Sequence, residues 1–456
     1  MIRFALRCVA VGAVMTLAAA PAAWAITPPE VDPNFVPPPG TAGPQTPMTQ
    51  RGECVVTGLT SGFDAAAVPG AQTMLNLAGA WQFSRGEGQT VAVVDTGVQP
   101  GPRLPNVDGG GDYVANGDGL TDCDGHGTLV AGIIAGQPGA DGFSGVAPAA
   151  RVLSIRQTSA MYAPTSPSED QDAQRASIAV DSLARAVVRA ADEGARVMNI
   201  SAITCLGTDS TIDQNPLGAA LRYAAVERDV VIVAAAGNAG PEGMGGGLAC
   251  QSNPLNNTGT PDDPRNWAGV VSVSLPSSWQ PYVLSVGSLA PDGQPSPFAM
   301  SGPWVGIAAP GQNIVSVSNS AEGGLADGIP DNRDGLAPVH GSSYAAAYVA
   351  GVAALVRSRF PDMPAAQVIE RLTATAHNGA QTPSNLVGAG TVDPVAALTW
   401  QLPEPQAAGI TQIAAPEPPE PANQLPRNIA LGGTAALALV VAATALVVQR
   451  RKETTR

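Results

Sequence analysis

Lysine is almost missing from this chain: among 456 residues there is one, Lys452, close to the C-terminal end. Histidine is nearly as scarce, with His126, His340 and His377 making up the whole set. A hydrolytic Ser–Lys pair is therefore all but excluded, and any imidazole base must come from three residues. Charged residues amount to 13 % of the chain, about half of the roughly 25 % usual in soluble domains. The formal net charge of −14 leaves no surplus of Lys and Arg to meet a phosphate backbone, so no nucleic-acid partner is expected. No C-x-x-C spacing is present, so a metal site on thiols finds no support, and no cofactor is called for. What the chain does have is apolar residues, at 45 %, enough for a sizeable core. Its 52 Gly and 42 Pro predict many turns and loops, while staying below the roughly 25–30 % that marks disorder throughout.

The two ends read as export and anchoring segments. Arg3 and Arg7 precede an apolar run from Cys8 to Ala20, and Pro21-Ala22-Ala23-Trp24-Ala25 follows. A basic start, a short apolar core and an Ala-x-Ala site predict a secretory signal peptide over residues 1–25. At the other end, Ile429 to Val448 is an uninterrupted apolar and small run, about the 20 residues that a spanning helix needs. Arg450, Arg451 and Lys452 follow it and Arg427 alone precedes it. Counting positive charge puts the tail, 450–456, in the cytoplasm and residues 26–427 outside, with a membrane helix at 428–449. Residues 401–427 are a Pro-rich linker, a stiff tether rather than a domain. Residues 26–81, with a run of three Pro at Pro37 to Pro39 and one helix around Ala71 to Phe83, read as an N-terminal extension strapped over the body.

The cysteines agree with that compartment. Cys8 leaves with the signal, and Cys54, Cys123, Cys205 and Cys250 remain. An even number in an exported chain suggests two disulfides, for which three pairings exist. The expected one joins Cys54 to Cys123, tying the extension to the body, and Cys205 to Cys250, joining two loops.

From about residue 82 the pattern changes. Thr90 to Asp95 is a continuous apolar run ending in an acid, and similar runs follow at Val152–Ile155, Arg196–Ser201, Val230–Ala236, Val283–Leu289 and Val305–Ala309. Unbroken apolar strands indicate a sheet covered on both faces, hence parallel. Helical patterns alternate with them at Gly127–Gly136, Ile178–Gly194, Pro216–Arg228, Ser342–Phe360 and Pro364–Ala376. The expected fold is α/β, with a mainly parallel sheet between two helical layers. Reactive residues in such folds gather at the C-terminal ends of strands.

Three short stretches there carry chemistry. Asp95 ends a buried strand in Val93-Val94-Asp95-Thr96-Gly97. His126 stands in Asp124-Gly125-His126-Gly127-Thr128, a Gly loop entering a helix of small residues. Ser343 stands in His340-Gly341-Ser342-Ser343-Tyr344-Ala345, another Gly loop entering such a helix, where unpaired N–H groups favour a developing negative charge. A serine needs a base to become nucleophilic, and the imidazole needs a carboxylate to fix its tautomer. Asn238, in Ala236-Gly237-Asn238-Ala239-Gly240 at another strand end, can donate to an oxyanion together with the Ser343 N–H. His340 lacks an evident carboxylate, and His377 reads as a surface residue. The Gly-rich acidic turns from Asp108 to Asp124 read as solvated, with calcium as the alternative. An esterase reading is disfavoured, because its nucleophile would precede its acid and base along the chain.

Over roughly Gln82 to Trp400 these motifs resemble the subtilisin-like serine proteases, four of them matching in order. With the signal peptide, the tether and the span, the chain is similar to the mycosins, membrane-anchored proteases of mycobacterial type VII secretion. The resemblance implies a subtilisin-like peptidase domain over 82–400, with Asp95, His126 and Ser343 as catalytic residues and Asn238 as the oxyanion donor. It also implies an extension that wraps the domain without being removed, exported proteins as substrates, and the secretion system's membrane complex as partner. A scaffold role in that complex, independent of proteolysis, is the rival. Departures are Ser342 where the family usually has Thr, Ala347 for a common Pro, and Ile200 to Cys205 without the usual Leu-Gly of the substrate-binding strand.

Overall fold

The computed structural model describes residues 26–240, 250–256, 259–260, 262–331, 335–379, 383–402 and 425–453. The expected signal peptide and most of the expected linker lie outside the described residues. The chain divides into two units, Met1–Trp400 and Gln401–Arg456.

The first unit is built on a sheet of nine strands. In chain order these are β1 (Thr90–Asp95), β2 (Val107–Asp112), β3 (Arg151–Arg156), β4 (Val197–Ile200), β5 (Val231–Ala235), β6 (Val283–Leu289), β7 (Val305–Pro310), β8 (His377–Asn378) and β9 (Gly390–Thr391). Their order across the sheet is β8-β9-β7-β6-β5-β4-β1-β3-β2, and all neighbours run parallel except β8 and β9. The chain leaves β1 towards β3 and β2, then returns to β4 on the other side. β1 is thus a topological switch point, where α/β sheets open a crevice at the strands' C-terminal ends.

Successive β1 side chains enter opposite layers. Val91 and Val93 join the core that holds α1 (His126–Ala135) and α4 (Ser342–Arg359), whereas Ala92 and Val94 join the core under α2 (Gln171–Asp192) and α3 (Asn215–Arg222). That alternation is why the strand reads as unbroken apolar sequence. The helix α4 is buried from Ser342 through Arg357, which its run of small residues permits by letting strands approach from several sides. Two further helices, α5 (Ala365–Ala374) and α6 (Pro394–Thr399), complete the first unit's larger elements.

Three expectations change. The helix around Ala71 to Phe83 is two short ones, Gly70–Met74 and Leu77–Ala80, because Asn76 takes a left-handed turn (φ 48°) and caps the second through Gly79 N. The helix expected from Ile178 starts earlier, at Gln171, where Asp170 accepts from Ala173 N as its N-cap. The turns after Asp108 contain an edge strand, β2, paired with β3 along one side.

The extension reaches the body by antiparallel pairing of Met48–Gln50 with Tyr162–Pro164 and by a disulfide from Cys54 to Cys123. A second disulfide joins Cys205 to Cys250. Both are the pairings expected from the sequence.

In the second unit, Leu425–Glu453 is one helix of 29 residues. That helix covers the membrane span expected at 428–449, and taken over the described residues no helix is long and apolar enough to cross a membrane.

Candidate active site

Asp95 ends β1 at the switch point and is fully buried. Its Oδ1 lies 2.6 Å from His126 Nδ1 and also accepts from Thr96 N at 2.7 Å. A carboxylate oxygen cannot donate, so Nδ1 carries the proton and Nε2 is left as the basic nitrogen. His126 opens α1, with 20 % of its side chain exposed, so one edge of the ring reaches solvent while the other meets the acid.

The glycines of these two motifs make that contact possible. A Cβ on Gly127 would stand 2.0 Å from Gly97 O, and one on Gly97 would stand 2.2 Å from Thr121 O. Side chains at either position would push the histidine loop off the strand end.

His126 is drawn in two directions. Burial favours the neutral ring, while the charge and hydrogen bond of Asp95 and the charges of Asp122 and Asp124 favour the imidazolium. The carboxylates win, and the group stands above its ordinary 6.5.

Ser343 is the second residue of α4 and is buried to 5 % exposure. It is linked to the histidine by its neighbour: the Tyr344 ring lies against His126, with centroids 5.3 Å apart. Ser343 Oγ donates to Ser201 O at 3.2 Å, and Ser201 Oγ donates to Ser343 O at 3.1 Å. Among the described residues no hydrogen bond joins Ser343 to His126. The arrangement brings Asp95 and His126 into contact and holds the hydroxyl on the Ser201 side of the same crevice.

Asn238 follows β5 and is half-buried. Its Oδ1 accepts from Ser342 N at 2.9 Å. That backbone donor fixes which way the amide faces, so Nδ2 points away from it as a donor. The place of a Cβ on Gly341 lies 3.5 Å from Nδ2, which sets that donor beside the loop that leads into Ser343. Ser342 does more than stand in for Thr: its Oγ accepts from Gly237 N at 3.3 Å, stitching the start of α4 to the end of β5.

The sequence profile of the subtilase family (Peptidase_S8) matches residues 86–390, about two thirds of the chain. Mycosin-3 of Mycobacterium tuberculosis (strain ATCC 25618 / H37Rv) is 60 % identical over 100 % of both chains. The chain belongs to the subtilases and, among them, to the mycosins. It is a subtilisin-like serine protease. A solved structure of the MycP3 protease from the type VII (ESX-3) secretion system is 66 % identical, with a TM-score of 0.80, covering 82 % of this chain and 100 % of that one. A chain in the intact ESX-5 inner membrane complex is 44 % identical, with a TM-score of 0.79, covering 92 % of this chain and 99 % of its own.

The other histidines of this mycosin stand apart from that geometry. His340 lies against Phe298, ring centroids 5.2 Å apart, and its Nδ1 donates to Pro338 O at 2.9 Å; among the described residues it forms no ion pair with a carboxylate. His377 is exposed on β8, 3.5 Å from Asp393. The acidic stretch expected to be solvated is not uniformly so, since Asp112, Asp122 and Asp124 are all buried. Among the described residues no group of three or more His, Cys, Asp or Glu is placed to hold a metal ion.

Three site residues escape sequence reasoning. Ser201 and Tyr344 act through contacts that only the fold creates, although Tyr344 directly follows Ser343. Asp122 had a local signal. It stands three residues before Gly125, the N-cap of α1, which has no side chain with which to cap the helix.

Proposed function

We propose that this mycosin is an endopeptidase in which Asp95, His126 and Ser343 form the catalytic triad. The Asp95–His126 contact of 2.6 Å, made by a wholly buried carboxylate beside the start of α4, carries the reading. Ser343 Oγ leaves the Ser201 carbonyl by rotation about one side-chain bond and gives its proton to His126 Nε2 as it attacks the scissile carbonyl. The new O–C bond leaves an oxyanion facing Ser343 N–H and Asn238 Nδ2. Collapse breaks the C–N bond, the amine takes the proton from His126, and water then releases the acyl group by the same steps. Catalytic hydrogen bonds often tighten only with substrate bound, so the present serine rotamer is compatible with this path.

The compartment follows from the sequence. A signal over residues 1–25 exports the chain, and Ile429–Val448 anchors it, with Arg450, Arg451 and Lys452 on the cytoplasmic side. Exposed Leu437, Leu439, Val440 and Val441 on the C-terminal helix fit contact with lipid. The substrates in this reading are proteins exported by a type VII system, and the partner is that system's membrane complex.

A second reading, a scaffold within that complex, is favoured by one observation: a similar chain is part of the ESX-5 inner membrane complex. Labelling of the detergent-solubilised chain with a fluorophosphonate, followed by peptide mass mapping, tests the first reading. It predicts a single adduct on Ser343, lost in Ser343→Ala. Restoration of secretion by Ser343→Ala in a deletion strain would favour the scaffold.

A further inference from the structure

One buried carboxylate beside this site is not used by the proposed chemistry. Asp122 stands four residues before His126, is buried, and collects five donors. Its Oδ1 accepts from Thr96 Oγ1 at 2.9 Å, Asp124 N at 3.2 Å and Gly125 N at 2.8 Å. Its Oδ2 accepts from Thr128 N at 2.8 Å and Thr128 Oγ1 at 2.6 Å. Thr96 Oγ1 in turn accepts from Gly127 N at 2.9 Å, and Thr96 N donates to Asp95 Oδ1.

Followed atom by atom, the network holds the backbone on both sides of His126: Gly125 before it, Gly127 and Thr128 after it. Through Thr96 the same carboxylate is tied to the residue next to Asp95. Asp122 therefore sets the separation of acid and base. It also supplies the cap that Gly125 cannot, with negative charge at the positive end of α1.

We propose that Asp122 is a positioning residue for His126, holding the ring against Asp95 through this cradle and favouring the imidazolium by its charge. The proposal rests on the reading of His126 as the base. Burial, opposed by the bonds from Thr128 and Thr96 and reinforced by Asp95, pushes the Asp122 carboxyl up to about 6, so it is ionised where a neutral His126 works. The charged and titratable groups facing His126 are Asp95 from β1, Asp122 and Asp124 from its own loop, and Tyr344 from α4.

The test uses the full chain in detergent with ¹⁵N-labelled histidine. Two readouts are followed: the NMR titration midpoint of His126 and the rate of Ser343 labelling by fluorophosphonate. Asp122→Asn removes the charge and turns donors towards donors. It lowers the His126 midpoint by about half a unit or more and slows labelling about tenfold or more. Asp122→Glu keeps the charge and displaces the cradle, so the midpoint stays while labelling slows. A merely structural carboxylate would leave the midpoint of a folded Asp122→Asn chain where it was, and that result overturns the proposal. If Asp122→Asn does not fold, Asp122→Glu decides: slowed labelling at an unmoved midpoint supports the proposal, and an unchanged rate overturns it. If the unmodified chain resists the probe while Asp122→Asn still moves the His126 midpoint, the positioning role stands and the catalytic reading falls.

Discussion

At the scale of single residues, Asp95 has one task that an isosteric amide cannot do. Its Oδ1 accepts from His126 Nδ1, which leaves Nε2 free to take a proton. Asp95→Asn would present a donor and favour the other tautomer, so turnover should fall about 10⁴-fold with little change in KM. A peptide assay that found Asp95→Asn within tenfold of the parent, roughly, would deny the carboxylate that role. Asn238→Ala removes the proposed side-chain oxyanion donor and also the acceptor of Ser342 N. A loss of about 10²–10³-fold in kcat is expected, with KM little affected, because the donor acts on charge that exists only in the transition state.

The stretches that the fold brings together here were readable in the sequence. Acid, histidine and serine each stand in a short motif with glycine, and at Gly97 and Gly127 a neighbouring backbone passes too closely for a Cβ. What could not be read is burial. Asp124 looks like any acidic turn, and beyond the spacing of Asp122 from Gly125 only the packing of α1 against the end of β1 turns Asp122 into an internal ligand of the loop. Ser201 and Tyr344 were hidden for the same reason, since their partners are more than 140 and 200 residues away in sequence, roughly, for contacts that no local pattern encodes.

At the scale of elements, the apolar runs that marked β1 and β3 to β7 worked because both faces of the sheet are covered. The strand β2, Val-Asp-Gly-Gly-Gly-Asp, was missed because it is an edge with only one neighbour and carries glycines in place of apolar side chains. The joint between α4 and α5 gives a prediction at this scale. Arg357 is fully buried and pairs with Asp229, Nη1 to Oδ2 at 2.9 Å, while Asp229 Oδ1 accepts from Ala365 N. Asp229→Ala leaves a buried guanidinium that, among the described residues, keeps the Asp229 and Met363 carbonyls as acceptors. A destabilisation of about 3 kcal/mol is expected, near the lower end for a broken buried pair because Asp229 itself is partly exposed. Equilibrium denaturation measures it, and a loss below about 1 kcal/mol, the size of a surface pair, would contradict it.

At the scale of the whole molecule, the buried titratable groups set a direction for stability against pH. His126 is raised above its ordinary 6.5 in the fold, so its contribution is complete below that value and is lost as pH rises through the folded one. Asp122 is raised from 3.8 to about 6, so the fold favours its neutral form and a penalty builds as pH rises across that interval. Asp229 has the opposite sign: burial is outweighed by Arg357, its carboxyl is held low, and its contribution is lost only as pH falls below the usual carboxylate range. The net charge of −14 adds self-repulsion towards alkaline pH. The chain should therefore melt several degrees higher near pH 5 than near pH 8, roughly. Scanning calorimetry showing the reverse order would mean that these groups do not govern the balance.

The claim that organises the molecule is that Asp95, raising and orienting His126, makes Ser343 a nucleophile. The rate of Ser343 phosphonylation as a function of pH measures that most directly. The expected rate rises with a single ionisation whose midpoint lies above 6.5, the ordinary histidine value, and collapses in His126→Ala. A rate that tracks hydroxide alone, or that survives the loss of His126, would show a serine acting without its proposed base.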